Sequence, residues 1–353
     1  MCVLLLLALA LLVPAAAQIP SAIGVTRQGV AIECLLAPED LDYNTRKTRI
    51  LLVGGLDAAR WFYAARDAAG FRKDFAVSAV AIAAPPGPYP PPGDAYGGAA
   101  NLEAAYLWRW IGMHAPDLVV DVRSGPALEW HAPEGVALPF ARRLAPSDDL
   151  VSQLVRVAPS ATGTIPAVRV TVPPGKDAEF LPTLLAGLRK ANFRGPSPAR
   201  REIQQRLARS PLEVARQLSR RYGHELGEVV YIPTVALIGR LRLGELDDVE
   251  RIVAPYFSGE KPTLPAKPTG SHLSGHLVFG ELARLTGKPR YIELVRAAAD
   301  LGFDPSGQPR ESMPFHNEMS DAVFMGCPIL AQAGRLTGER KYFDMALRHM
   351  RFM

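Results

Sequence analysis

The residue best suited to acid–base chemistry in this chain is Asp321. It stands in the run Phe315-His316-Asn317-Glu318-Met319-Ser320-Asp321-Ala322-Val323-Phe324-Met325. A single carboxylic acid can deliver a proton and its conjugate base can take one back, provided its pKa is near the working pH. Burial among Phe324, Met325 and Ile329 would push it in that direction. Ser320 or Asp321 also precedes a helical pattern and would serve as its N-cap, worth about 1 kcal/mol. The two roles are compatible. His316 and Asn317 border the acid and offer hydrogen bonds to a hydroxylated ligand, while Glu318 either orients water or faces solvent. His272 and His276 stand at i, i+4 and share a helix face. A metal would need a third ligand, and none stands at a convincing spacing. The pair therefore reads as polar lining, with His272 nearer the helix start.

The elements that must position these residues repeat. Gly275 to Arg284 leads into Leu285-Thr286-Gly287 and Tyr291, and Gly326 to Arg335 leads into Leu336-Thr337-Gly338 and Tyr342. A degenerate copy runs through Gly239, Leu243 and Gly244. Each copy predicts a helix, a left-handed glycine that closes it, and a return helix opened by tyrosine. Such hairpins bury their apolar faces only against one another, so they stack. Superposing the copies at an offset of about 51 residues sets Asp321 against Gly270. The acid is thus absent from the structural repeat. Helices are expected over 201–210, 212–222, 234–243, 246–256, 271–285, 291–301, 322–336 and 342–353.

The first half of the chain reads differently. Arg49 to Val53, Phe75 to Ala84 and Leu118 to Val122 are strand-like, with helical patterns near Trp61 and over 102–113. Strands alternating with helices predict an α/β layer with a largely parallel sheet. Pro85 to Gly93 is too rich in proline for helix or central strand and reads as a surface loop. Gly54-Gly55 lacks the third glycine and ribose acid of a dinucleotide fingerprint. Gly195-Pro196-Ser197-Pro198 is the linker candidate. Leu4 to Val13, followed by small residues, is too short to span a bilayer and reads as a secretory signal. It predicts a secreted or periplasmic protein without stable membrane insertion after cleavage.

Charge excludes one class of partner. With 40 basic and 35 acidic residues the formal charge is +5, and no basic run is interleaved with aromatics, so no nucleic-acid partner is expected. Three cysteines, Cys2, Cys34 and Cys327, are too few for a disulfide scaffold; a Cys34–Cys327 bridge is left open.

The helix-pair signature and residues 315–331 resemble the active-site segment of glycoside hydrolase families 88 and 105, the unsaturated uronyl and rhamnogalacturonyl hydrolases. Asp321, Met325 and Pro328 match the family arrangement, whereas Met319 stands where an aromatic residue is usual. The resemblance implies a partial (α/α)6 toroid of helical hairpins, Asp321 as catalytic acid/base, and His272, His316, Asn317 and Met325 as substrate contacts. It implies no cofactor, and a substrate that is an oligosaccharide with an unsaturated uronic acid end. A ring of this kind has about six hairpins, and the chain stops within roughly the fourth, so it is expected to be a fragment.

Residues 45–135 weakly resemble the zinc carboxypeptidase fold. The residues expected to hold zinc are missing: 54–60 contain no His, and Arg123 stands at the later position. The expected organisation is therefore a signal peptide over 1–18, a degenerate α/β domain over 19–195, and the first half of an all-α toroid over 196–353. An active metallopeptidase and a non-catalytic helical scaffold are the competing readings.

Overall fold

Two runs, Thr48–Val53 (β3) and Phe75–Val80 (β4), are buried at every position, and Leu118–Ser124 (β5) is buried over its first five residues. Strands covered on both faces are the signature of a parallel sheet sandwiched by helices. In the computed structural model, which describes residues 18–93, 102–176, 179–313 and 321–353, β3 pairs in parallel with β4 and β5. Ala167–Val172 (β8) extends the parallel set beside β5. The flanking strands Ile19–Val25 (β1), Ala31–Leu36 (β2), Glu129–Ala132 (β6) and Arg142–Arg143 (β7) complete an eight-stranded sheet in the order β1-β2-β4-β3-β5-β8-β6-β7. The β2–β4 and β6–β8 pairings are antiparallel, so the sheet is mixed rather than wholly parallel.

Helices cover both faces. Leu56–Ala64 (α1) and Phe180–Lys190 (α4) bury Phe62, Leu184 and Leu188 against one face of the central strands. Leu102–His114 (α2) and the short Leu150–Leu154 (α3) bury Leu107, Ile111 and Leu150 against the other. The segment 85–93 forms no helix or strand, as its prolines require. It is not wholly a surface loop, however, because Tyr89 is buried with its ring 5.6 Å from Trp108.

The chain divides into Met1–Ala208 and Arg209–Met353, which moves the expected boundary at 195/196. The reason is electrostatic. Asp117, at the foot of β5, accepts hydrogen bonds from the backbone N–H of Arg49 at 2.8 Å and of Ser197 at 2.7 Å. Its carboxylate also pairs with Arg200 at 3.1 Å, both side chains being buried. A Cβ at Gly195 would lie 2.2 Å from the same carboxylate. Gly195 to Ser197 is therefore packed rather than a free linker. The helix Pro198–Leu207 (α5), capped by Ser197, belongs to the sheet unit.

The second unit is all-α, as expected. Its helices are Pro211–Ser219 (α6), Tyr231–Arg242 (α7), Leu246–Ser258 (α8), Gly270–Gly275 (α9), Leu277–Thr286 (α10), Pro289–Ala299 (α11), Ala322–Thr337 (α12) and Arg340–Phe352 (α13). The single helix expected over 271–285 is broken at His276 into α9 and α10. The repeat is visible bond by bond. Gly287 and Gly338 close α10 and α12 with φ of 70° and 75°. Thr286 donates to the Leu282 carbonyl at 2.7 Å, and Thr337 does the same to Ala333 at 2.8 Å. Tyr291 donates to Glu250 at 3.0 Å and Tyr342 to Asp300 at 2.7 Å, each tying a return helix to a carboxylate of the preceding hairpin.

Removing the Asp117 carboxylate leaves Arg200 buried without its partner. Asp117→Ala is expected to destabilise the sheet unit by about 3 kcal/mol, read as a lower urea midpoint. An unchanged midpoint would contradict the boundary argument.

Candidate functional site

Three helices of the second unit begin at one end. The Tyr231 N–H at the start of α7 donates to Ser271 Oγ in the first turn of α9, at 3.4 Å. One turn along, Ser274 Oγ donates to Met325 Sδ of α12 at 3.1 Å, between residues 51 apart. That spacing equals the repeat offset, so equivalent positions of successive hairpins touch. Side chains preceding α7, α9 and α12 therefore gather at a common end.

Asp321 immediately precedes α12 and is partly buried. Its carbonyl accepts the first helical bond, from the Met325 N–H at 2.9 Å. Its carboxylate makes no capping bond to the helix; Ser320, the other capping candidate, lies outside the described residues. Phe324, one turn into α12, is 56 % exposed rather than part of an apolar wall around the acid. Met325 is buried and reaches Ser274, which makes it a packing residue between α9 and α12. Ile329 lies in the core.

His272 has both ring nitrogens engaged. Nδ1 accepts the Thr269 N–H at 3.0 Å in a capping box whose third position is this histidine. Because Nδ1 accepts there, the neutral ring carries its proton on Nε2, which donates to Glu228 Oε1 at 2.8 Å. A sugar contact from His272 would displace one of these partners, so its first duty is to hold Thr269 and Glu228. His276 does not share that setting. It is fully buried, and its Nδ1 meets the His272 carbonyl at 2.7 Å. Its Nε2 is buried without a partner, and burial pushes the imidazole down to about 4. It lines no surface; it is a neutral core group at the α9–α10 break. His316 and Asn317 lie outside the described residues, as do residues 1–17 of the expected signal peptide.

Glu228, at this end, has no signal in the sequence, and Phe324 is exposed where burial beside the acid is expected. Glu228 has 63 % of its side chain exposed while its Oε1 is fixed by His272. Phe324 presents an open ring. Glu228 carries no local motif. An apolar hollow of about 730 Å³ lies elsewhere in the unit, between α6 and α7, with Leu218, Tyr222, Ile232 and Val235 on its walls.

The sheet unit has its own crevice. β3 connects through α1 to β4 on one side, and β5 joins on the other, so the strand order reverses at β3. Ligands of open α/β sheets bind at such reversals, beyond the carboxyl ends of the strands. A hollow of about 320 Å³ is found there, lined by Gly54, Gly55, Asp57, Val122 and Phe180. Gly54 has φ 88°, and a Cβ on it would lie 2.9 Å from the Val122 carbonyl. Asp57 and Arg60 form an exposed ion pair at 2.8 Å. Arg123 is tied through Nε to Asp121 at 2.9 Å, and the same carboxylate oxygen accepts from Arg169 at 3.0 Å. Among the described residues no three His, Cys, Asp or Glu side chains cluster closely enough to hold a metal. Cys34 and Cys327 are free, buried thiols. No helix among the described residues is long and apolar enough to cross a membrane.

No protein-family model matches the chain, so the glycosidase resemblance stays with the residues that carry it. No curated protein matches either. Among solved structures, a metallo-carboxypeptidase from Burkholderia cenocepacia is similar over 50% of this chain, at 11% identity and a TM-score of 0.33. The match covers 66% of that structure's length. A likeness of this extent fixes neither fold nor activity.

Two stability measurements check this description. Phe324→Ala is expected to change stability by less than about 0.5 kcal/mol, whereas Met325→Ala should cost about 2 kcal/mol; equal losses in urea titrations would contradict the assigned exposures. His276 gives a pH window. The unfolded chain protonates it near the ordinary 6.5 and the folded chain only near 4. Its contribution is full above 6.5, falls as pH drops through that interval, and levels off below 4, a loss of at most about 3 kcal/mol. His276→Gln should flatten the urea midpoint across that window relative to the parent.

Proposed function

We propose that the helical unit forms part of an (α/α)6-type ring and removes unsaturated uronyl residues from oligosaccharides, with Asp321 as the acid/base. One observation carries the reading: a carboxylate that the repeat does not require stands at the end where neighbouring helices begin. The resemblance of residues 315–331 to uronyl hydrolases supplies the reaction class.

The chemistry needs only one such group. The protonated carboxyl of Asp321 gives its proton to C4 of the C4=C5 double bond. Positive charge develops at C5 and is shared by the ring oxygen. Water adds at C5 while the Asp321 carboxylate takes its proton, which restores the acid. The hemiketal formed at C5 opens to a ketone, and the resulting hemiacetal at C1 collapses to an aldehyde and expels the leaving sugar as an alcohol. Ordinary glycosidases need two flanking carboxylates because they act at the anomeric carbon directly; here the alkene is the reacting group. The open ring of Phe324 supports a stacking contact with sugar in place of the aromatic residue missing at Met319.

On this reading the substrate is an oligosaccharide left by a polysaccharide lyase, and the Leu4 to Val13 run is a leader that delivers the enzyme to the periplasm or beyond. The sheet unit is a companion without peptidase activity, a reading supported by the lack of histidine over residues 54–60.

The alkene of unsaturated uronides absorbs in the near ultraviolet, and hydration removes that band. The full chain is expected to bleach an unsaturated galacturonyl–rhamnose disaccharide. Asp321→Asn should slow bleaching by about a thousandfold with an unchanged circular dichroism spectrum. A variant as fast as the parent would exclude Asp321, and no bleaching by a form of the protein that carries the complete ring would exclude the reaction.

A further inference from the structure

We propose that Glu228, fixed by His272, sets the specificity of this end of the helical unit: its carboxylate accepts from hydroxyl groups of a neutral leaving sugar and turns away leaving groups that carry their own negative charge. The inference rests on reading the unit as a uronyl hydrolase.

The geometry around Glu228 is that of a held carboxylate rather than a solvated one. Glu228 stands three residues ahead of α7, and its Oε1 accepts from His272 Nε2 at 2.8 Å. His272 is itself buried, and its other nitrogen is committed to the Thr269 N–H at 3.0 Å. That second bond fixes the tautomer, so the imidazole presents a proton to Glu228 and nothing else. An exposed glutamate normally loses a ligand contact to side-chain freedom. Here the orienting cost is met within the protein, while 63 % of the side chain stays open to solvent.

Charge then decides what Glu228 can select. Its hydrogen-bond partner is the neutral His272 ring, and among the described residues no Lys or Arg nitrogen comes within ion-pair distance of its carboxylate. With Oε1 held and most of the side chain open to solvent, Oε2 is left as an acceptor with no hydrogen-bond partner among the described residues. A sugar hydroxyl satisfies such an oxygen as a charge-assisted donor. A sulfate or second uronate beside it meets uncompensated like charge, which suppresses the wrong partner. The location is the shared end of the helices: Ser271, the neighbour of His272, accepts from Tyr231, and Ser274 reaches Met325 of the helix that Asp321 opens. His272 is the positioning residue in this arrangement, and Glu228 touches the ligand.

The test compares two probes on the full chain: an unsaturated uronyl residue linked to rhamnose, and one linked to N-sulfoglucosamine. Binding to both is measured by calorimetry in the Asp321→Asn protein, and turnover of both by ultraviolet bleaching in the parent. Glu228→Gln is expected to shift the neutral-to-sulfated ratio by about tenfold toward the sulfated probe, in binding and in kcat/KM alike. His272→Ala should shift it in the same direction, and His272→Gln, which keeps an N–H donor, should restore most of it. An unchanged ratio in Glu228→Gln overturns the proposal even if the parent is active. If the parent, in a form that carries the complete ring, bleaches neither probe, the reaction is lost, while a Glu228-dependent binding ratio still sustains this assignment. Failure of both probes to bind overturns both.

Discussion

A helical hairpin of this size cannot bury its own apolar stripe, and the helical unit follows from that constraint. Each hairpin covers its face with the next, so successive helices must run side by side in register. Tyr291 and Tyr342 lock the register by donating to Glu250 and Asp300 of the hairpin before. Register places equivalent residues in contact, as Ser274 and Met325 are, and it brings helix starts to a common end. Loops preceding those starts are then the natural place for polar groups that the stack does not need. Asp321 and Glu228 both occur there, in a geometry imposed by packing.

The sheet unit is organised around a different necessity. Its central strands are buried on both faces, so any polar group on them must be satisfied internally. Asp117 answers that demand for the foot of β3, the foot of β5 and the turn into α5 at once. Burial pushes its carboxyl up from the ordinary range despite these partners. The interaction is therefore costly in solvation terms and is retained for the positions it specifies. At the opposite ends of the strands, Asp121 holds Arg123 and Arg169 in the same manner.

How much of this was legible in the sequence depended on the range of the signal. The continuous apolar runs of β3, β4 and β5, and the Leu-Thr-Gly closures of α10 and α12, are local patterns and translate directly into structure. The short or exposed strands β1, β6 and β7 have no such pattern, whereas β8 alternates Val with Arg and Thr as a strand does, yet it is absent from the expected strands. Glycine and proline at 195–198 suggest a linker, but a carboxylate 80 residues away from Ser197 packs the segment down. In the site, Asp321 is legible because it interrupts a repeat. Glu228 is not, because its meaning comes from a histidine 44 residues on. His276 shares a helical spacing with His272 yet lies in the core, since the helix breaks at that residue.

The central claim is that Asp321 protonates carbon rather than oxygen. Carrying out the reaction in deuterium oxide and stopping it early separates the two. Proton delivery by Asp321 predicts one deuterium at C4 of the product, on a single face, appearing as the ultraviolet band disappears. A product that keeps its double bond, or deuterium distributed equally over both faces of C4, would contradict the account.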